Sequence, residues 1–240
     1  MGLKLFVDFE GGLTPGNIAK DIFLRFGGIR SGELFRECEE GKFSAAECLH
    51  QQAENLGILN GDSLDQFFKA QSVDRSFKDL LLFCKDHGIE FIVVSSGIDY
   101  PVRKILETNE IGDARFFANP AEFVPSGVGH RLKLRFPYAD AECARCSCCK
   151  RNIMLTCSGE DDIVAYVGGE YSESCPAFYA DLVFAKDRFQ TICQRENITY
   201  VPYNTLLDVI DRLRSLLADG RGLRKRRRAE LRRREAFLCE

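Results

Sequence analysis

The sequence predicts an α/β fold, a doubly wound, mostly parallel sheet. Two observations carry this. Short, continuous apolar runs occur at 3–8 (LKLFVD), 89–95 (IEFIVVS), 162–168 (DIVAYVG) and 181–185 (DLVFA), and helical patterns lie between most of them. Strands covered on both faces read as unbroken apolar runs, because neither face meets water. Three of these runs also end in polar turns that carry glycine, and in such sheets ligands bind beyond the carboxyl ends of the strands.

Along the chain, residues 3–8 form the first strand, stopped by Gly11-Gly12. Residues 15 to about 72 give helical signals only, with helices at 15–26, 32–40, 44–56 and 62–70 separated by glycines. This stretch is a helical insertion. Phe77, Leu80, Leu81 and Cys84 then mark one helical face that ends at His87-Gly88. The 89–95 strand follows, with a helix over 99–107, short strands at 115–118 and 132–136, and a helix ending near 156. After the strands at 162–168 and 181–185 come a helix at 187–195, a short strand near 199–201 and a helix at 204–217. Leu206, Leu207, Ile210, Leu213 and Leu217 make the apolar stripe of that last helix. The division expected is residues 1–14 and 74–219 as the core, 15–73 as a helical cap and 220–240 as a basic tail.

With 240 residues and 45% hydrophobic composition, the chain suits one core carrying an insertion. No apolar run approaches the roughly 20 residues that span a bilayer, and MGLKLFVDFE lacks the pattern of a secretory signal. A soluble, cytoplasmic protein is expected. The formal charge of −3 conceals an asymmetry: residues 221–240 carry a net +6, so the rest is acidic. An acidic body argues against a broad nucleic-acid surface. The tail reads as a solvated extension, the alternative being a basic helix for nucleic acid or another acidic surface. Oligomeric state is not legible.

Three strand ends carry chemistry. In VDFEGGLT (7–14), Asp8 and Glu10 are two residues apart and share one side of an extended strand. One carboxylate suits a nucleophile and the other a proton carrier, and Gly11 lets a phosphate approach the backbone. In VVSSGIDY (93–100), Ser95, Ser96 and Gly97 precede a helix start, so hydroxyl and backbone donors can meet phosphate oxygens. In YVGGEYSE (166–173), Glu170 and Glu173 offer oxygens to Mg²⁺. Eleven cysteines without a signal peptide read as thiols, metal ligands or small core residues rather than as a disulfide framework. Four of them, Cys143, Cys146, Cys148 and Cys149, cluster directly before Lys150. They suit either Zn²⁺, with the Cys143–Cys146 pair well spaced, or a packed, oxidation-sensitive thiol group.

Taken together and in this order, the segments over roughly residues 3–205 resemble the haloacid dehalogenase (HAD) superfamily. The likeness is to its phosphoserine-phosphatase-like branch, and within that to the methylthio-diketopentane phosphatases of methionine salvage. The resemblance implies a HAD-like core under a helical cap, and hydrolysis of a small phosphorylated metabolite. It makes Asp8 the residue that forms an aspartyl-phosphate and Glu10 the general acid–base. Ser95 and Lys150 would hold the phosphoryl group. Mg²⁺ would lie between Asp8, the Glu10 carbonyl and an acid of the 168–173 loop. Three positions depart from the pattern. Glu10 replaces an aspartate, Gly12 a threonine, and Gly169 the aspartate that ligates Mg²⁺, while the second aspartate of that motif falls on Glu173. Two functions remain open: a phosphatase with an adapted metal site, and a protein that has lost turnover but binds a phosphometabolite or a partner.

Overall fold

The computed structural model describes residues 2–109, 114–127, 129–170, 173–218 and 223–238. Its centre is β1 (Leu3–Asp8), followed by α1 (Ile18–Glu39), α2 (Ala45–Asn55), α3 (Gly61–Lys69) and α4 (Phe77–Asp86). Next come β2 (Glu90–Ile98), α5 (Asp99–Thr108), β3 (Arg115–Asn119), β4 (Ala121–Ser126) and β5 (Gly129–Leu134). The chain continues through α6 (Lys150–Cys157), β6 (Ile163–Gly168), α7 (Ser174–Tyr179), β7 (Leu182–Ala185), α8 (Arg188–Arg195), β8 (Val201–Pro202), α9 (Leu206–Ala218) and α10 (Arg227–Leu238).

Six strands form one sheet in the order β3-β2-β1-β6-β7-β8, and every neighbouring pair is parallel. Alternation along β1 explains the two layers. Leu5, Val7 and Phe9 enter the larger core with α1, α4 and α9, whereas Phe6 enters the smaller one with α6 and α8. Asp8 shares the side of Phe6, at the strand's carboxyl end. Strand order reverses at β1, which pairs with β2 on one side and β6 on the other, so a crevice opens there.

Several elements differ from the sequence reading. The helices expected at 15–26 and 32–40 are one helix, α1, interrupted at Gly28, whose φ of 62° breaks the helical geometry without ending the element. One strand was expected at 132–136, but β4 and β5 form an antiparallel hairpin instead. Only Leu132 of the pair is fully buried, so the hairpin carries no apolar run to announce it. α7 was not foreseen, and its approach includes Tyr171 and Ser172, which lie outside the described residues.

Two larger corrections concern the cysteines and the tail. Cys38 and Cys48 form a disulfide that joins the end of α1 to α2, where only thiols were expected. The tail carries a helix that docks on the body. Arg233 reaches Asp181 at 2.9 and 3.1 Å and the Tyr179 carbonyl, and Ala229 is wholly buried. Charge counting cannot separate a solvated arginine from one that meets a buried carboxylate. Residues 219–222, 239 and 240 of that segment lie outside the described residues.

No helix among the described residues is long and apolar enough to cross a membrane.

Candidate active site

Asp8 is fully buried where β1 ends. Lys150, the first residue of α6, sends Nζ to both Asp8 oxygens at 2.9 Å and to Glu173 Oε2 at 2.7 Å. One cation therefore bridges two carboxylates from different loops. Burial alone would lower the Lys150 pKa, but the charges of Asp8 and Glu173 hold it well above the ordinary lysine value. The same lysine keeps Glu173 below the usual carboxylate range against the opposing effect of burial.

Glu10 is buried on the other side. Burial, and then the Asp8 charge, push its carboxyl up to about 7. Ser95 Oγ donates to Glu10 Oε1 at 2.6 Å and accepts from the Gly97 N–H at 3.0 Å. Ser96 Oγ donates to Glu173 Oε1 at 3.0 Å. Asp8, Glu10, Ser95, Ser96, Gly97, Lys150 and Glu173 are thus brought together. Glu170 is not: it accepts from the Arg188 N–H at 3.3 Å on the far side of its loop.

Three residues that sequence reasoning missed support this group. Tyr166 on β6 donates its hydroxyl to Asp8 Oδ2 at 2.9 Å. Asn119 and Ser147 hold the 95–97 turn by bonding the Ser96 carbonyl, and Asn119 also bonds that of Gly97. Alternation along 162–168 does place Tyr166 on one side of its strand. Which residue it faces depends on β6 lying beside β1, and that pairing has no local signal.

Above the group lies a cavity of about 500 Å³. Its floor includes Glu10, Ser96, Gly97 and Lys150, and its far wall includes Phe35, Phe43 and Leu49 of the helical segment.

The two glycine departures have a common cause. A Cβ at Gly169 would stand 2.0 Å from the Gly11 carbonyl oxygen, and one at Gly12 would stand 2.1 Å from the Asp8 carbonyl oxygen. The 10–14 loop folds down onto the end of β6, with Gly11 at a φ of 78° that suits glycine. The Gly11 carbonyl crowds the place from which a side chain at 169 would extend.

No family model matches the chain. The 2-hydroxy-3-keto-5-methylthiopentenyl-1-phosphate phosphatase of Exiguobacterium sibiricum is 28% identical over 223 residues, covering 90% of this chain and 98% of that protein. The Bacillus mycoides protein of the same name is 26% identical over 220 residues, with the same coverage. Among solved structures, a phospho-aspartyl intermediate analogue of phosphoserine phosphatase superposes with a TM-score of 0.61 at 18% identity, covering 88% of this chain and 98% of that one. A probable phosphoserine phosphatase from Vibrio cholerae gives 0.69 at 18%, covering 93% and 68%.

The fold is that of the HAD phosphatases. The resemblance read from the motifs therefore extends to the whole sheet and most of the chain. HAD phosphatases generally use Mg²⁺, and the residues present here do not fit that ion. Asp8 Oδ2 is already engaged by Tyr166 and Lys150, Gly169 has no side-chain oxygen, and the space beside it holds the Gly11 carbonyl. Glu173 is turned to Lys150 and Ser96, and Glu170 to Arg188. Among the described residues no group of three or more His, Cys, Asp or Glu side chains is placed to hold a metal. This also corrects the zinc expectation. Cys148 is buried in the apolar layer under the sheet, so the four sulfurs do not converge.

Proposed function

We propose that the chain is a HAD-type phosphatase of a small phosphorylated metabolite, acting through an aspartyl-phosphate on Asp8. The observation that carries this reading is the Lys150 ammonium bridging Asp8 and Glu173, with the raised Glu10 carboxyl buried alongside. Lys150 offsets the negative charge of Asp8 and of the incoming phosphoryl oxygens, so the carboxylate can approach phosphorus. Glu10 carries its proton to near neutral pH and delivers it to the leaving oxygen. Once ionised, it takes a proton from the water that hydrolyses the aspartyl-phosphate. Ser95 holds the Glu10 carboxyl in place, and the Ser96–Gly97 turn presents donors to the phosphoryl oxygens. Residues 15–73 act as the cap, closing the cavity from above and excluding water. Mg²⁺ enters none of these steps.

The names of the relatives and the aromatic and aliphatic far wall together favour a phosphomonoester with an apolar tail. A panel that includes 2-hydroxy-3-keto-5-methylthiopentenyl-1-phosphate, assayed for phosphate release with and without Mg²⁺, tests this. Release that Asp8→Asn abolishes is expected, and release that survives Asp8→Asn would refute the assignment of the nucleophile.

The Gly11–Gly169 contact favours a second reading, in which the same pocket holds a phosphometabolite without turning it over. Tight binding of the panel without phosphate release would select it.

A further inference from the structure

Cys146 and Cys149 are not explained by the phosphatase reading. Cys149 is the residue on which α6 begins, and its neighbour Lys150 carries the Asp8 clamp. Three residues earlier, Cys146 is half-buried. It lines both the main cavity and a smaller cleft of about 280 Å³ shared with Ser44 and Cys143. Both cysteines are free thiols. Cys148, between them in sequence, points into the apolar layer and takes no part.

We propose that Cys146 and Cys149 form a reversible disulfide that displaces Lys150 from Asp8 and so switches the site off.

The Cys146 thiol donates its hydrogen bond to Cys149, so the two sulfurs already face each other. That bond lowers Cys149 to about 6 against the effect of burial, helped by the Asn152 N–H and Arg151 at the start of α6. The pair therefore holds one proton and one negative charge, the state in which thiol–disulfide exchange proceeds. Cys146, the accessible member, attacks one sulfur of a small disulfide of the glutathione type and passes its proton to Cys149. A mixed disulfide forms on Cys146 and one thiolate leaves. Cys149 then attacks the Cys146 sulfur and expels the second half as a thiol, which keeps the proton. Two protein thiols are oxidised and one small disulfide is reduced to its two halves.

The consequence follows from the connectivity. The Cys149 N–H donates to the Tyr138 carbonyl at 2.7 Å, and the Cys149 carbonyl accepts from Ile153 at 3.1 Å. Drawing the Cys149 sulfur onto Cys146 strains this anchor, and Lys150 is the next residue. A displacement of roughly 1 Å at such a group costs on the order of 100-fold in rate.

The test has one arm that rests on the phosphatase reading and one that does not. The full chain is reduced, treated with oxidised glutathione, digested and mapped by mass spectrometry. A Cys146–Cys149 link that dithiothreitol removes is expected, distinct from the Cys38–Cys48 link. Cys149→Ser, which keeps a side chain suited to starting a helix, abolishes it. In the second arm, phosphate release falls on the order of 100-fold on oxidation, recovers in dithiothreitol, and is insensitive to oxidant in Cys149→Ser. The proposal is overturned if no such link forms while an exposed reference thiol is fully oxidised. It is also overturned if Cys146 links to Cys143, or if Cys149→Ser loses activity with oxidant as the parent does. Should no phosphate be released from any substrate, the mapping arm still decides whether the disulfide exists.

Discussion

Replacing Gly169 by alanine probes the geometry that sets this site apart from a HAD metal centre. The added Cβ would stand 2.0 Å from the Gly11 carbonyl oxygen, against an ordinary contact beginning at 3.4 Å. The oxygen must therefore retreat by roughly 1.4 Å, the difference of those two distances. Neither atom lies at the end of a flexible side chain. Gly11 belongs to a backbone turn bridged between Glu10 and Thr14, and Gly169 follows a buried strand. Overpacking of this kind costs about 1–3 kcal/mol. In a chain of this size each kcal/mol lowers Tm by about 2–4 °C, so a fall of roughly 2–12 °C is expected by calorimetry. Gly61→Ala is the control: it opens α3, meets nothing within 4 Å, and should leave stability within about 0.5 kcal/mol. Gly169→Asp should be worse than alanine, because it adds a carboxylate to the same space, and Mg²⁺ should not raise its Tm. If Gly169→Ala matches the parent, the Gly11 carbonyl does not occupy that space and the argument against the metal fails.

Lys150→Met should cost about 3–5 kcal/mol, because it leaves Asp8 buried without its cation; denaturant titration measures this. Arg233→Met leaves Asp181 in the same position and should cost a comparable amount, with α10 becoming protease-sensitive while α9 stays protected. Cys38→Ser opens a disulfide between residues ten apart and should cost about 2–3 kcal/mol. Phosphate release should fall as pH rises through about 7, where Glu10 loses the proton meant for the leaving oxygen. The raised Glu10 pKa also makes stability highest below the ordinary glutamate range and lower as pH passes about 7, and Glu10→Gln should flatten the stability profile.

The sheet was legible because its strands are buried on both faces. Val93, Val94, Val164 and Val167 each meet a core layer, so the strands read as apolar runs whatever their neighbours are. The β4–β5 hairpin was not legible, since Glu122, Pro125, Arg131 and Lys133 interrupt its pattern. Within the site, Asp8, Glu10, Ser95 and Lys150 stood out because each follows or borders a recognisable strand or helix boundary. Tyr166, Asn119 and Ser147 did not. Their roles depend on β6 lying beside β1 and on how the 95–97 turn packs, which are properties of the sheet order rather than of any segment.

The glycines show how far a motif comparison can mislead when positions are scored separately. Gly12 and Gly169 look like two independent losses, a threonine and a metal-binding aspartate. In the structure they meet the same short loop: Gly12 closes against the Asp8 carbonyl and Gly169 against the Gly11 carbonyl. Either side chain would push the loop out, so restoring one leaves the other part of the loop in the way. The site is better described as one rearranged loop than as a HAD centre with missing parts. Its negative charge is balanced by the Lys150 ammonium, with Tyr166 donating to Asp8 and Ser96 to Glu173. A variant that combines Gly12→Thr with Gly169→Asp is therefore the informative one. If the loop reopens in that background, Mg²⁺ should raise its Tm although neither single variant responds.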